Sequence, residues 1–248
     1  MLALYILLGI LGGIIVSVLL VYIISALLVS PKKEFETESP FYRMLLNGVA
    51  IFLVKMSRSH VTVHGAEKLP QDRKFLLVGN HRSNFDPIVS VYAFPEYHLA
   101  YLSKGENFKI PVIGRLIRKC CFLAIDREDP RKALPTIQKA ARIAEKGVNT
   151  VAVYPEGTRS KKCKLLPFHN GVFKIAQKAH MPVAVMTLEG TEKIHKNFPL
   201  HKTQITLRVL EVIPYEEIDK KRTNEIGDRV RDAISQALQA DQETAAQD

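Results

Sequence analysis

The sequence predicts an α/β fold: a single domain with a largely parallel central sheet flanked by helices, preceded by an N-terminal membrane helix. Two observations predict it. From Val61 onward, short apolar runs of strand length alternate with stretches of helical periodicity. Before them, Leu2 to Val29 carries no charge at all. At 248 residues the chain, even without this segment, is long enough to bury one proper core.

Leu2–Val29, at about 1.5 Å per residue, is long enough to cross a hydrocarbon core of about 30 Å with some tilt. A signal peptide would show positive charge before a shorter apolar run, then a small-residue cleavage site. Here the run has no preceding cation and ends in Ser30-Pro31-Lys32-Lys33. A retained anchor over residues 1–30 is expected, with the two lysines placing the downstream domain on the cytoplasmic side of the membrane. Gly9 and Gly13 form a G-x-x-x-G, more often ordinary glycines of a membrane helix than a pairing face.

Residues 31–60 contain a second apolar stretch, Phe41 to Arg58, with cations at both ends. It is short for a span. It fits either an amphipathic helix lying in the membrane interface or an ordinary core helix. Residues 61–240 are then the cytosolic domain. Its expected strands are Val61–His64, Phe75–Val78, His98–Ser103, Cys120–Ile125, Thr150–Tyr154, Val183–Leu188 and Gln204–Val212. Its expected helices include Pro130–Lys146, opened by proline and stopped by Gly147, then Val172–Ala179 and a closing helix Arg222–Ala240. Residues 241–248 read as a polar, frayed tail.

The net charge of +10 calls for an anionic partner: nucleic acid, acidic lipid headgroups or an acidic carrier protein. Nucleic acid lacks support. There is no zinc-ligand spacing, no basic helix with heptads and no aromatic-glycine box. Cys120, Cys121 and Cys163 form no framework and no Cys-x-x-Cys pair, so they read as reduced core residues of a cytosolic domain.

The chemistry concentrates in Asn80-His81-Arg82-Ser83-Asn84-Phe85-Asp86-Pro87. A helix would leave about 140° between the side chains of His81 and Asp86. They meet only if the chain leaves its strand at Gly79 and turns, as Ser83 and Asn84 favour. Pro87 suits the first turn of a helix through Ala93, with Asp86 as its cap. In that geometry Asp86 orients one ring nitrogen of His81, and the other nitrogen is a base. On the spacing alone, a cap and an unrelated loop histidine remain the alternative.

A second cluster, Tyr154-Pro155-Glu156-Gly157-Thr158-Arg159-Ser160, follows a buried strand, at the end where open α/β sheets bind ligands. Gly157 would let backbone approach a ligand, Thr158 and Ser160 offer hydroxyls, and Arg159 offers a planar fork suited to phosphate. Arg127 and Lys104 also sit just past expected strands. Each cation alone reads as a solvated surface charge; together beside a His–Asp pair they point to an anion site. Glu156 would bond a substrate hydroxyl, lock Arg127 or Arg159, or serve a structural ion pair.

These blocks, with Ile110-Pro111-Val112-Ile113-Gly114 to Asp126-Arg127 and Met181-Pro182-Val183 between and after them, resemble the four ordered blocks of the glycerolipid acyltransferase family, and within it the bacterial 1-acyl-sn-glycerol-3-phosphate acyltransferases. The likeness covers about Val61 to Leu188, half of the chain. It implies the fold of that family, and acyl transfer from a thioester, acyl-CoA or acyl carrier protein, to the free hydroxyl of lysophosphatidate at a lipid bilayer. His81 would be the general base and Asp86 its partner. Arg127 and Arg159, with Lys104, would hold the phosphate, and Glu156, Gly157 and Thr158 would line the acceptor site. The resemblance implies no metal, no cofactor beyond the donor substrate and no nucleic-acid partner. Two departures bear on the acceptor and the acyl chain: Ala184 stands where the family usually has a second proline, and His169-Asn170 stand where lysines are common. A different lysophospholipid or amino-lipid acceptor, a hydrolase, and a non-enzymatic lipid-binding module are the other readings.

Overall fold

The computed structural model describes residues 1–245. Helix α1 is Leu2–Leu27 and α2 is Pro40–Met56. The sheet-bearing part comes next as β1 Ser59–His64, β2 Leu76–Gly79, α3 Asp86–Ala93, β3 Ala100–Ser103, α4 Ile113–Lys119, β4 Leu123–Ala124, α5 Pro130–Glu145 and β5 Val151–Val153. It continues through α6 Lys174–Lys178, β6 Val183–Glu189, α7 Ile194–Asn197, β7 Thr203–Ile213, α8 Tyr215–Ile218 and α9 Thr223–Ala245. The expected α/β architecture is present. Seven strands run in the order β1-β7-β6-β2-β5-β3-β4. From β6 to β4 every pairing is parallel. β7 runs antiparallel to β6, and β1 runs parallel to β7. The central strands β2 and β5 are buried at every residue, because helices cover both faces.

Several boundaries differ from expectation, each for a local reason. The strand expected over Cys120–Ile125 shrinks to Leu123–Ala124 because Cys120 closes α4 and Cys121 takes a left-handed φ of 62°. The strand expected from His98 starts at Ala100, since His98 sits at φ 49°. The helix expected from Val172 begins at Lys174 after a tight turn over Asn170–Phe173. The closing helix runs to Ala245, past the expected start of the tail at Asp241; residues 246–248 of that tail lie outside the described residues. Cys120 and Cys121 are buried free thiols, and burial pushes both pKa values up to about 12.

Helix α1 is long and apolar enough to cross a membrane, and its residues up to Val21 are exposed. Its last turns dock on α2: Tyr42 Oη donates to the Ser25 carbonyl (2.9 Å) and Tyr22 Oη to the Leu45 carbonyl (3.0 Å). Helix α2 has one buried and one exposed apolar face. Tyr42, Leu45, Leu46, Ala50 and Val54 pack into the core, while Phe41, Met44, Ile51, Phe52 and Met56 are exposed.

The linker between these helices is fastened by three glutamates. Glu34 pairs with Lys139, and Glu36 with Arg142 and Lys146, all on or just after α5. Glu38 is buried. It pairs with Arg43 (2.7 Å) and His98 and accepts from Asn149 Nδ2 (2.7 Å). Arg43 also donates to the Leu99 carbonyl, so one carboxylate and its arginine join the linker, α2 and the chain just before β3.

Candidate active site

The site grows from the carboxyl end of β2. Asn80 clamps the loop to β6 with both ends of its amide, accepting from Leu188 N (2.8 Å) and donating to Leu188 O (2.9 Å). The chain then turns, and Asp86 comes back beneath His81. Asp86 is 0% exposed. Its Oδ2 accepts from His81 Nδ1 at 2.7 Å, from the backbone N–H of Arg82 at 2.6 Å and from that of Ser83 at 2.8 Å. Its Oδ1 accepts from Thr191 Oγ1. A carboxylate accepts only, so His81 carries its proton on Nδ1, and Nε2 is left as an acceptor.

Asp86 was expected to cap the following helix. It is instead the first residue of α3, and its side chain makes no cap bond there. It turns back to the N–H groups of the preceding loop, because those donors and the imidazole converge on one oxygen. Its negative charge still sits at the favourable end of α3.

The imidazole is held from a second side. The Tyr154 ring stacks on it at 4.5 Å between centroids and 6° between planes. Tyr101 stacks on the far face of Tyr154 at 5.1 Å, and the Tyr154 hydroxyl donates to that of Tyr101 at 3.1 Å. Burial pushes the Tyr101 phenol to about 12 and Tyr154 well above its ordinary value, so both stay neutral.

Two spaces meet at His81. One is an apolar cavity of about 330 Å³, walled by Leu46, Val49, Leu53, Ile88, Ile113 and Phe122. The other is a wide polar cleft of about 1060 Å³. Lys104, Arg127, Glu156, Gly157, Thr158 and Arg159 all line this cleft with His81, so the residues singled out in the sequence come together. Arg127 borders both spaces and donates to the Gly157 carbonyl. Burial lowers its pKa from the usual guanidinium value. Thr158, Arg159 and Lys104 are exposed, and Lys104 pairs with Glu106 at 3.3 Å.

Glu156 and Gly157 are held as follows. Among the described residues Glu156 forms neither an arginine lock nor an ion pair. Its carboxylate accepts from the backbone N–H of His81 (2.7 Å) and of Leu166 (2.9 Å), fixing the histidine loop against the strand-end loop. Burial raises its pKa, against the pull of these two bonds. Gly157 takes φ +68°, and a Cβ there would lie 2.7 Å from the His169 ring. The glycine is required by its backbone and by that side chain.

The imidazole acceptor stands at the junction of an apolar cavity and a polar cleft lined by Lys104, Lys109, Arg127 and Arg159 and by the carboxylates of Glu106, Asp126, Glu128 and Glu156, an arrangement able to take a proton from a hydroxyl of a bound amphiphile. The acyltransferase family model matches residues 60–189, which contain His81, Asp86, Tyr154 and the residues of the polar cleft. The chain belongs to the acyltransferase family. Its relatives include a 1-acyl-sn-glycerol-3-phosphate acyltransferase of Chlamydomonas reinhardtii, 33% identical over 186 residues, covering 72% of this chain and 53% of that protein. A chloroplastic enzyme of the same name from Brassica napus is 37% identical over 133 residues, covering 53% and 38%. One from Streptococcus pneumoniae is 29% identical over 177 residues, covering 67% and 64%. The chain thus matches about half or less of the length of the first two. The crystal structure of the 1-acyl-sn-glycerophosphate acyltransferase PlsC from Thermotoga maritima superposes with a TM-score of 0.63 at 24% identity, covering 79% of each chain, and shows a shared fold.

In this family member, sequence reasoning missed Thr191 and the support given by Tyr154. Thr191 sits just past the carboxyl end of β6, after Gly190 at φ +90°. The rule that singled out Glu156, a polar residue at the end of a buried strand, would have found it. Tyr154 stood in the motif, but its stacking on His81 depends on the spacing of β2 and β5, which no local pattern carries.

Proposed function

We propose that this acyltransferase moves a fatty acyl group from acyl-CoA or acyl carrier protein to the sn-2 hydroxyl of 1-acyl-sn-glycerol-3-phosphate, giving phosphatidic acid. The observation that carries the reading is the 2.7 Å His81–Asp86 pair at the meeting point of the apolar cavity and the polar cleft that Lys104, Arg127 and Arg159 help to line. His81 Nε2 takes the hydroxyl proton as the oxygen attacks the thioester carbonyl. The tetrahedral intermediate collapses, the C–S bond breaks, and the imidazolium returns the proton to the leaving thiolate. Asp86 keeps Nδ1 protonated and stabilises the imidazolium. Lys104, Arg127 and Arg159 take the phosphate, with Thr158 beside them, and the apolar cavity takes an acyl chain. The reading uses no metal and no cofactor besides the donor.

Helix α1 holds the catalytic part at the cytoplasmic face of the membrane, where the lysolipid arrives through the bilayer and the acidic donor is drawn by the +10 charge. The test is acyl transfer by purified protein in vesicles, with lysophosphatidate beside other lysolipids and both donor types, for wild type and His81→Ala. Phosphatidic acid made by wild type and lost in the variant supports the reading. A different acylated product moves the acceptor, and release of free fatty acid alone overturns the transferase.

A further inference from the structure

Phe198, Pro199 and Leu200 form an exposed apolar tip between α7 and β7, with Phe198 45% and Leu200 76% exposed. Its position is fixed. Arg58, two residues past α2, donates through Nη1 to the carbonyls of Pro199 (3.1 Å) and Leu200 (3.3 Å). Thr203 N donates to the Arg58 carbonyl. The tip therefore lies against the chain just past α2, whose last turns expose Phe52 and Met56.

The sheet places the tip beside the reaction. β7 is antiparallel to β6, with Thr206 opposite Glu189, so β7 starts at the edge where β2, β5 and β6 end. His81 comes just after β2 at that same edge, and β2 lies two strands from β7. At about 4.8 Å per strand this is roughly 10 Å across the sheet.

The charges say what covers the tip. Lys196, His201 and Lys202 flank it and are exposed, with Lys55 and Arg58 across the junction. No acidic residue occurs between Glu38 and Glu67, nor between Glu192 and Glu211. Apolar side chains ringed by cations alone fit an interface of hydrocarbon under anionic headgroups. We propose that the Phe198–Leu200 tip inserts into the headgroup region of an anionic bilayer. There it forms a second membrane contact beside α2 and turns the open edge of the catalytic cleft toward the lipid. The contact does not depend on the acyl-transfer reading, because its readout is depth, not turnover.

The chain contains no tryptophan, so one placed at the tip reports alone. Full-length protein carrying Leu200→Trp, and separately Phe198→Trp, is reconstituted in phosphatidylglycerol–phosphatidylcholine vesicles with brominated acyl chains. Val148→Trp is the control, an exposed site on the opposite edge, before β5. The tip variants are expected to lose most of their emission to the bromines while the control keeps its own. Adding Lys196→Glu and Lys202→Glu to Leu200→Trp is expected to restore emission. Unquenched emission from both tip variants overturns the proposal. So does emission shielded from aqueous iodide but untouched by brominated lipid, which would mean contact with another protein chain. Emission indifferent to the two charge reversals overturns the role of the cations.

Discussion

Thr191 donates its hydroxyl to the Asp86 oxygen that His81 leaves free. This single bond joins the end of β6 to the loop after β2, and it occupies the remaining oxygen of a fully buried carboxylate. Thr191→Val should leave that oxygen unpaired and cost about 1–3 kcal/mol of stability. It should also lower kcat more than it raises KM, because the loosened carboxylate no longer fixes the imidazole. Thr191→Ser should recover both. Thermal melts together with a pH–rate profile check this. A variant with wild-type kinetics and only a lower Tm would leave Thr191 a structural role alone.

His81→Ala should lower acyl transfer by about 10²–10⁴-fold with little change in KM, as expected for loss of a general base. Asp86→Asn should lower it comparably, since an amide cannot accept from Nδ1–H, Arg82 N–H and Ser83 N–H while also stabilising the imidazolium. Single-turnover rates for both variants, beside binding of the lysolipid, separate chemistry from affinity.

Gly157→Ala should destabilise by two separable effects. The left-handed φ costs about 1–2 kcal/mol for a residue with a Cβ, and the new methyl meets the His169 ring at 2.7 Å. Adding His169→Ala should recover the second part and not the first. Denaturant midpoints of the two single variants and the double variant decide it.

Acid should loosen the clasp around Glu38. Burial works to raise the pKa of this carboxyl, but the bond to His98 and the Arg43 charge outweigh it, so the folded value lies below the ordinary one. A carboxyl depressed in the folded state contributes stability that is present above its unfolded pKa and is lost as pH falls through the folded pKa. Tm should therefore be held through the neutral range and fall below the ordinary carboxylate range. Glu38→Gln should lose about 3–5 kcal/mol near neutrality, because Arg43 is left buried without its counter-charge, and its acid limb should be shallower. Tm against pH for both proteins tests the sign as well as the size.

By itself the sequence determined the elements, short of several boundaries, and picked out the residues that gather at the site. The alternation of apolar runs and amphipathic stretches specified an α/β sheet, since strands covered on both faces must be short and apolar. The H-x4-D spacing after Gly79 specified a turn, because no helix brings those side chains together. Arg127, Lys104 and the Glu156–Arg159 loop were legible as strand-end residues, and the sheet delivered them to one cleft. Only the tertiary structure decided what crosses between strands distant in sequence. Thr191 on Asp86, Tyr154 on His81, Glu156 on the backbone of His81 and Glu38 on Arg43, His98 and Asn149 have partners up to 111 residues away. Such partners depend on strand order and register, which local pattern does not encode. The antiparallel β7 belongs with them. Its alternation read as a strand, but its direction is set by the short α7 connection from β6, and that direction carries the Phe198–Leu200 tip to the edge where His81 stands.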